Sequence, residues 1–212
     1  MKNRILFIFI LISLFSLSSR VFASGLCSQN GYTIATINGI FTNEDGAKEN
    51  RNNLKKGLPL TYNNQPLTVD YLYNPTHLAG LGDVFDAIAQ GAFFQRSDYD
   101  LTEMLNDASQ KIGTQKLLLV GHSQGNFYTN NFYDKVSSRP GGIPGRSISV
   151  YGVASPAGYV DGGGKYLTSN TDEVINFVRE KNTIDVLSPN IHIPLQASDG
   201  NGHSFSDVYL KY

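Results

Sequence analysis

Lys116-Leu117-Leu118-Leu119-Val120, followed at once by Gly121-His122-Ser123-Gln124-Gly125, is the stretch on which the reading of this chain turns. A short, unbroken apolar run is the pattern of a strand buried on both faces of a parallel sheet. Gln124 to Val136 then reads as a helix. With no spacer between strand and helix, the turn is so tight that only glycine at 121 and 125 leaves room for it. Such a turn lifts the Ser123 hydroxyl above the carboxyl end of the sheet. The helix N-terminus aims its dipole and free N–H groups at any anion forming there. Alone, G-x-S-x-G is weak, since composition gives about one such match in five chains of this size. The flanking strand and helix give it weight.

Working outward, Tyr32–Ile37 is β-rich and ends in the turn signal Asn38-Gly39. Glu44–Lys56 is polar and helix-tolerant, and Leu67–Tyr73 reads as a strand. Helices are expected over Leu81–Phe94 and Tyr99–Ile112; in the second, Leu101, Met104, Leu105, Ala108 and Ile112 keep the 3.6-residue period. Ser147–Val153 is a strand and Lys165–Thr168 a weak one. Val174, Ile175, Phe177 and Val178 cluster as on a helix over Asp172–Lys181, with Thr171 available as N-cap. Asn190–Ala197 alternates as a last strand, and Ser204–Tyr212 is able to close the chain as a helix. The order is βα repeated, which predicts one domain with a mostly parallel sheet flanked by helices on both faces.

The 212 residues give one core of ordinary size. With 41% hydrophobic and 17% charged residues, the composition is globular and excludes a disordered chain. Residues 1–23 read as a secretory signal peptide: Lys2 and Arg4, an apolar run from Ile5 to Leu17, then Val21-Phe22-Ala23. The run is about 13 residues, where about 20 are needed to cross a bilayer. The expectation is therefore an exported protein, secreted or periplasmic, with residues 24–212 as the folded domain. Cleavage removes Lys2, Arg4 and Arg20 and no acid. The formal charge of −1 then becomes more negative, which gives no electrostatic footprint for nucleic acid. No second apolar segment approaches spanning length. Cys27 is the only cysteine, so an intrachain disulfide is excluded. It is read as an inert or intermolecular thiol, with a lipid anchor as the rival. One cysteine and four scattered histidines argue against a structural zinc site.

Gly-His-Ser-Gln-Gly after a buried strand resembles the α/β-hydrolase superfamily, and within it the lipase and esterase branch. The resemblance covers most of the chain in element order and is motif-specific at a few points. It implies a single-domain α/β-hydrolase fold. Only about a dozen residues separate the strand at 147–153 from the next, so little or no cap domain is expected. It also implies a catalytic triad with Ser123 as nucleophile. An oxyanion hole would form from the backbone N–H of Gln124 and one from the loop after the first strand. Asn38-Gly39-Ile40-Phe41 stands in that loop where His-Gly-X is commoner. Ile40 is the donor chosen, with Asn38 bracing the loop.

Of the four histidines, His122 is locked in the turn, His77 is in a loop and His192 sits inside an alternating run. His203, on a turn-rich loop after the last expected strand, matches the family's base. The acid belongs between Ser123 and His203 in the family's order, which leaves Asp172 and Asp185. Strand, loop, Asp and helix around Asp172 resemble the family's acid turn. Asp185-Val186-Leu187-Ser188-Pro189 is similar to the Asp-x-Val-Pro of some lipases. The helical spacing of 174, 175, 177 and 178 favours Asp172, and Asp185 stays open as the alternative.

The resemblance therefore implies an exported serine hydrolase of carboxylic esters, of lipid type (lipase, lysophospholipase or esterase), with no metal and no organic cofactor. Its partner would be a small-molecule or lipid ester. The alternatives are an acyltransferase or thioesterase on the same triad, or a non-catalytic binding protein on a hydrolase scaffold. Ala87, Ile88, Ala92, Phe93 and Phe94 are candidates to line an acyl groove, against a plain core role.

Overall fold

The strand entering the Gly-rich turn, Leu117–His122, alternates its burial partners along its length. Leu117 and Leu119 pack into one apolar cluster, while Leu118 and Val120 pack into another. That is the period-two geometry of a strand covered on both sides. The computed structural model describes residues 28–40, 42–75, 93–114, 116–138, 142–181 and 184–212, with backbone alone over 93–100. The expected signal peptide, Cys27, His77, the side chains proposed for an acyl groove and nearly all of the helix expected over 81–94 lie outside the described residues.

The strands are β1 (Tyr32–Ile37), β2 (Thr61–Tyr62), β3 (Gln65–Leu72), β4 (Leu117–His122), β5 (Ile148–Val153) and β6 (Lys165–Leu167). They form one sheet in the order β2-β3-β1-β4-β5-β6. All pairs are parallel except the β2–β3 hairpin. That hairpin turns on Asn63 and Asn64, both at positive φ, as a two-residue loop of matching twist requires.

Among the described residues four helices flank the sheet: α1 (Glu44–Lys56), α2 (Phe93–Lys111), α3 (Gly125–Ser137) and α4 (Glu173–Lys181). Leu101, Met104 and Ala108 of α2 and Tyr128 and Phe132 of α3 cover Ala35, Ile37, Leu119 and Val150 on one face. On the other face, Ile175 of α4, Phe205, Val208 and Tyr209 close over Val120 and Val153, with Leu54 of α1 beside them. The α/β class with a mostly parallel sheet is as the sequence predicts. Among the described residues, no helix is long and apolar enough to cross a membrane.

Three local expectations are corrected. Asn190–Ala197 is not a strand: Ile191 makes one bridge to Ser169, and Pro189 and Pro194 lack the N–H groups a ladder needs. Ser204–Tyr212 forms turns and a short 3₁₀ helix over Tyr209–Lys211 rather than an α-helix. The N-cap of α4 is Asp172, whose Oδ1 accepts the Ile175 N–H at 3.0 Å. Thr171 instead donates its hydroxyl to the Ile193 carbonyl.

Candidate active site

The chain builds the sheet outward from β1 in one direction to β3, then crosses back to place β4 on the other side of β1. The carboxyl ends of β1 and β4 therefore flank the point where the winding reverses, the position at which open α/β sheets bind ligands. The loop after β1 carries Asn38, Gly39 and Ile40; the turn after β4 carries Ser123 and Gln124. A Cβ placed on Gly39 would stand 2.7 Å from Ser123 Cβ, so the two loops touch.

Ser123 occupies the left-handed region, with φ 55°. A non-glycine residue is held there at a cost of about 1–3 kcal/mol, and only by a surround that fixes it. That surround is visible. Ser123 N–H donates to the Val153 carbonyl at 3.0 Å. The Asn126 amide donates to the carbonyls of Ser123 at 2.7 Å and Val153 at 3.0 Å. Gly121 and Gly125 have no room for a side chain: their Cβ atoms would meet Asn126 Cα at 2.8 Å and the Ile37 carbonyl oxygen at 2.3 Å.

His203 and Asp172 are brought together. His203 Nδ1 lies 2.9 Å from Asp172 Oδ2 and 3.0 Å from Oδ1, and the Asp172 side chain is wholly buried. Because a carboxylate only accepts, Nδ1 carries the proton and Nε2 is left as the free base. Tyr209 completes the carboxylate's shell. Its hydroxyl donates to Asp172 Oδ2 at 2.8 Å and accepts from the Ser169 N–H at 3.1 Å. Burial by itself would raise the Asp172 carboxyl. The charge of His203 and the hydrogen bonds from His203, Ile175 and Tyr209 outweigh it, so Asp172 titrates below the usual carboxylate range. Tyr209 is raised, first by burial and then by the charge of Asp172.

His122 packs against His203. The two rings are centred 4.9 Å apart, and the Phe205 ring is centred 5.4 Å from His122. Its Nε2 lies 2.8 Å from the His203 carbonyl oxygen, so Nε2 is the donor and ties the loop that carries His203 to the turn after β4. Burial lowers the His122 pKa to about 3, which keeps this ring neutral at working pH.

The loop after β1 is braced by a partner the sequence reading did not find. Asn38 donates its amide to the carbonyls of Gly39, Thr42 and Asn74, and accepts the Asn74 N–H at 2.8 Å. The Asn74 amide reaches Gln124 Oε1 at 2.8 Å and the Asn38 carbonyl at 3.3 Å. Asn38, Asn74 and Gln124 are all buried. This amide chain ties the loop of Ile40 to the residue that follows the serine. Among the described residues, neither the Ile40 nor the Gln124 N–H has an acceptor. Two unengaged donors beside the serine are what an oxyanion requires. Ser123 Oγ itself makes no hydrogen bond to a described residue.

The two rival residues lie elsewhere. Asp185 is exposed on a loop against Gly158, and His192 is exposed with Nδ1 on Asn170 Oδ1 at 2.8 Å. Compared with known proteins, the chain matches no protein-family model and no curated protein.

Proposed function

We propose that this protein is a serine hydrolase of the α/β-hydrolase type that cleaves carboxylic esters through an acyl-enzyme. The observation that carries the reading is the pair formed by a buried Asp172 carboxylate and His203 Nδ1, with the His203 ring packed on His122, the residue before a serine held in a left-handed turn at the end of a central parallel strand. In the reaction, His203 Nε2 takes the Ser123 hydroxyl proton as Oγ attacks the ester carbonyl. The Gln124 and Ile40 N–H groups receive the developing oxyanion. The alkoxide leaves with the proton from His203, and water then releases the acid by the same route in reverse. Asp172 fixes the tautomer throughout. An export signal over residues 1–23 belongs to this reading and places the substrate outside the cytoplasm.

The test is a fluorophosphonate probe, which modifies only an activated serine. The protein is expected to label and Ser123→Ala is not, with ester turnover falling about 10⁴-fold or more. Equal labelling of the alanine variant would overturn the assignment.

A further inference from the structure

We infer that Tyr209 is a positioning residue of the site: by sharing the Asp172 carboxylate with His203, its hydroxyl weakens the hold of that carboxylate on the protonated ring and lowers the pH at which His203 is free to act as base; this rests on the serine-hydrolase reading above. Asp172 is fully buried, so its charge is distributed by its hydrogen bonds and not by water. Among the described residues three groups donate to it. The Ile175 N–H reaches Oδ1 at 3.0 Å, His203 Nδ1 spans Oδ1 at 3.0 Å and Oδ2 at 2.9 Å, and the Tyr209 hydroxyl reaches Oδ2 at 2.8 Å. Oδ2 therefore serves two side-chain donors at once. A carboxylate already satisfied by a hydroxyl has less to gain from an imidazolium beside it.

The direction of the hydroxyl is fixed. Its oxygen accepts the Ser169 N–H at 3.1 Å, and the carboxylate offers no proton, so the hydroxyl hydrogen lies toward Asp172. The ring is buried in the cluster of Val120, Val153, Ile175 and Phe205. Both partners of the hydroxyl are at 0% exposure, so it acts through Asp172 and does not meet a substrate.

The other titratable or charged groups around His203 lack this access. His122, packed on it from the turn after β4, is kept neutral by burial. Arg179 of α4 is spent on Asn176 Oδ1 and the Leu187 carbonyl. Asp199 takes the His203 backbone N–H at 2.7 Å. With Glu49 of α1 and Asp207, Asp199 lines the open cavity beside His203, where water and salt screen these charges.

The experiment follows the rate of fluorophosphonate labelling from about pH 5 to 9, which reads the availability of the base without a known substrate. Tyr209→Phe deletes the donor. Tyr209→ortho-fluorotyrosine keeps ring and hydroxyl and makes the hydroxyl a stronger donor. Burial and the Asp172 charge raise Tyr209, so the hydroxyl stays protonated throughout. Without the donor, Asp172 holds the protonated ring more firmly, and the rise in rate is expected about half a pH unit higher. With the stronger donor it is expected roughly a few tenths of a unit lower. Tyr212→Phe, at an exposed ring, is expected to keep the wild-type profile. A tyrosine that only packs would lose stability on substitution without moving the profile. Labelled variants whose rise stays in place, or moves the same way in both, overturn this inference and leave the serine hydrolase standing. Should Tyr209→Phe fail to fold, the fluorotyrosine protein decides alone: a lower rise supports the inference, and an unmoved or higher one overturns it. A wild-type protein that takes no fluorophosphonate overturns both readings.

Discussion

Replacing Tyr209 with phenylalanine removes one oxygen atom and two hydrogen bonds, one to Asp172 Oδ2 and one from the Ser169 N–H. A hydrogen bond to a charged group contributes about 1.5–3 kcal/mol, and a buried donor left unpaired costs about 1–3 kcal/mol. Ser169 is fully buried, so water does not take over for its N–H. Allowing for partial relaxation of the turn, the variant is expected to lose roughly 2–4 kcal/mol. At about 2–4 °C per kcal/mol for a chain of this size, the melting temperature falls by roughly 5–15 °C. Tyr212→Phe is the control: that ring is 68% exposed, and its change stays within about 0.5 kcal/mol. The loss should also depend on acidity. Tyr209 is one of the groups that hold the Asp172 carboxyl low, so Asp172 contributes stability above its unfolded pKa that is lost as pH falls. Without the hydroxyl that contribution shrinks, and the two proteins converge in stability toward low pH. Urea unfolding at several pH values reads both effects. A Tyr209→Phe protein as stable as the Tyr212→Phe control at pH 7 would refute the reasoning.

Three further outcomes follow from the same site. Asp172→Asn is expected to cost about 10⁴-fold in turnover, because the amide stabilises the wrong imidazole tautomer, whereas Asp185→Asn costs little; equal losses would dissolve the assignment of the acid. His203→Gln is expected to abolish ester hydrolysis and His192→Gln to spare it, measured on one soluble ester at saturating concentration. Since burial holds His122 neutral down to about pH 3, the unfolded state binds a proton below pH 6.5 that the folded state refuses. Stability due to this ring is complete above pH 6.5 and declines as pH falls, by up to about 1.4 kcal/mol per pH unit. His122→Gln should flatten the decline between pH 6.5 and 5, above the carboxylate range, and an unchanged slope would contradict the burial argument.

The elements that the sequence discloses are those whose pattern is set by burial on a regular lattice. Lys116–Val120 and Ser147–Val153 read as strands; the first is covered on both faces, whereas Ser149 on the second is exposed. Asp172 is favoured over Asp185 by the helical spacing of Val174, Ile175, Phe177 and Val178, of which Ile175 and Val178 are buried while Phe177 is exposed. The failures have equally local causes. Ile191, Ile193 and Leu195 alternate, yet the segment lies beyond β6 with prolines at 189 and 194, and only Ile193 is fully buried. Phe205, Val208 and Tyr209 resemble one face of a helix, but they are pinned one by one onto His122, α4 and Asp172 in a turn-rich segment. Asn74 and Tyr209 were missed as supports of the site because their partners are far away in the chain. Asn74 meets Gln124 across 50 positions and Tyr209 meets Asp172 across 37. A polar residue after a strand and a tyrosine in an apolar run carry no sign of such pairing.

The strand order also bears on how quickly the protein reaches its fold. β1 is made early in the chain but lies between β3 and β4, so Ile34 must find Leu118 about 80 positions downstream before the central pair closes. Loop-closure entropy is paid before that contact returns anything, and topologies of this kind fold slowly. Until β4 docks, β1 keeps an open edge of N–H and C=O groups flanked by apolar side chains, the form of surface that invites pairing with another chain. Refolding yield is therefore expected to be governed by dilution and by the β1–β4 closure more than by the final stability of the sheet.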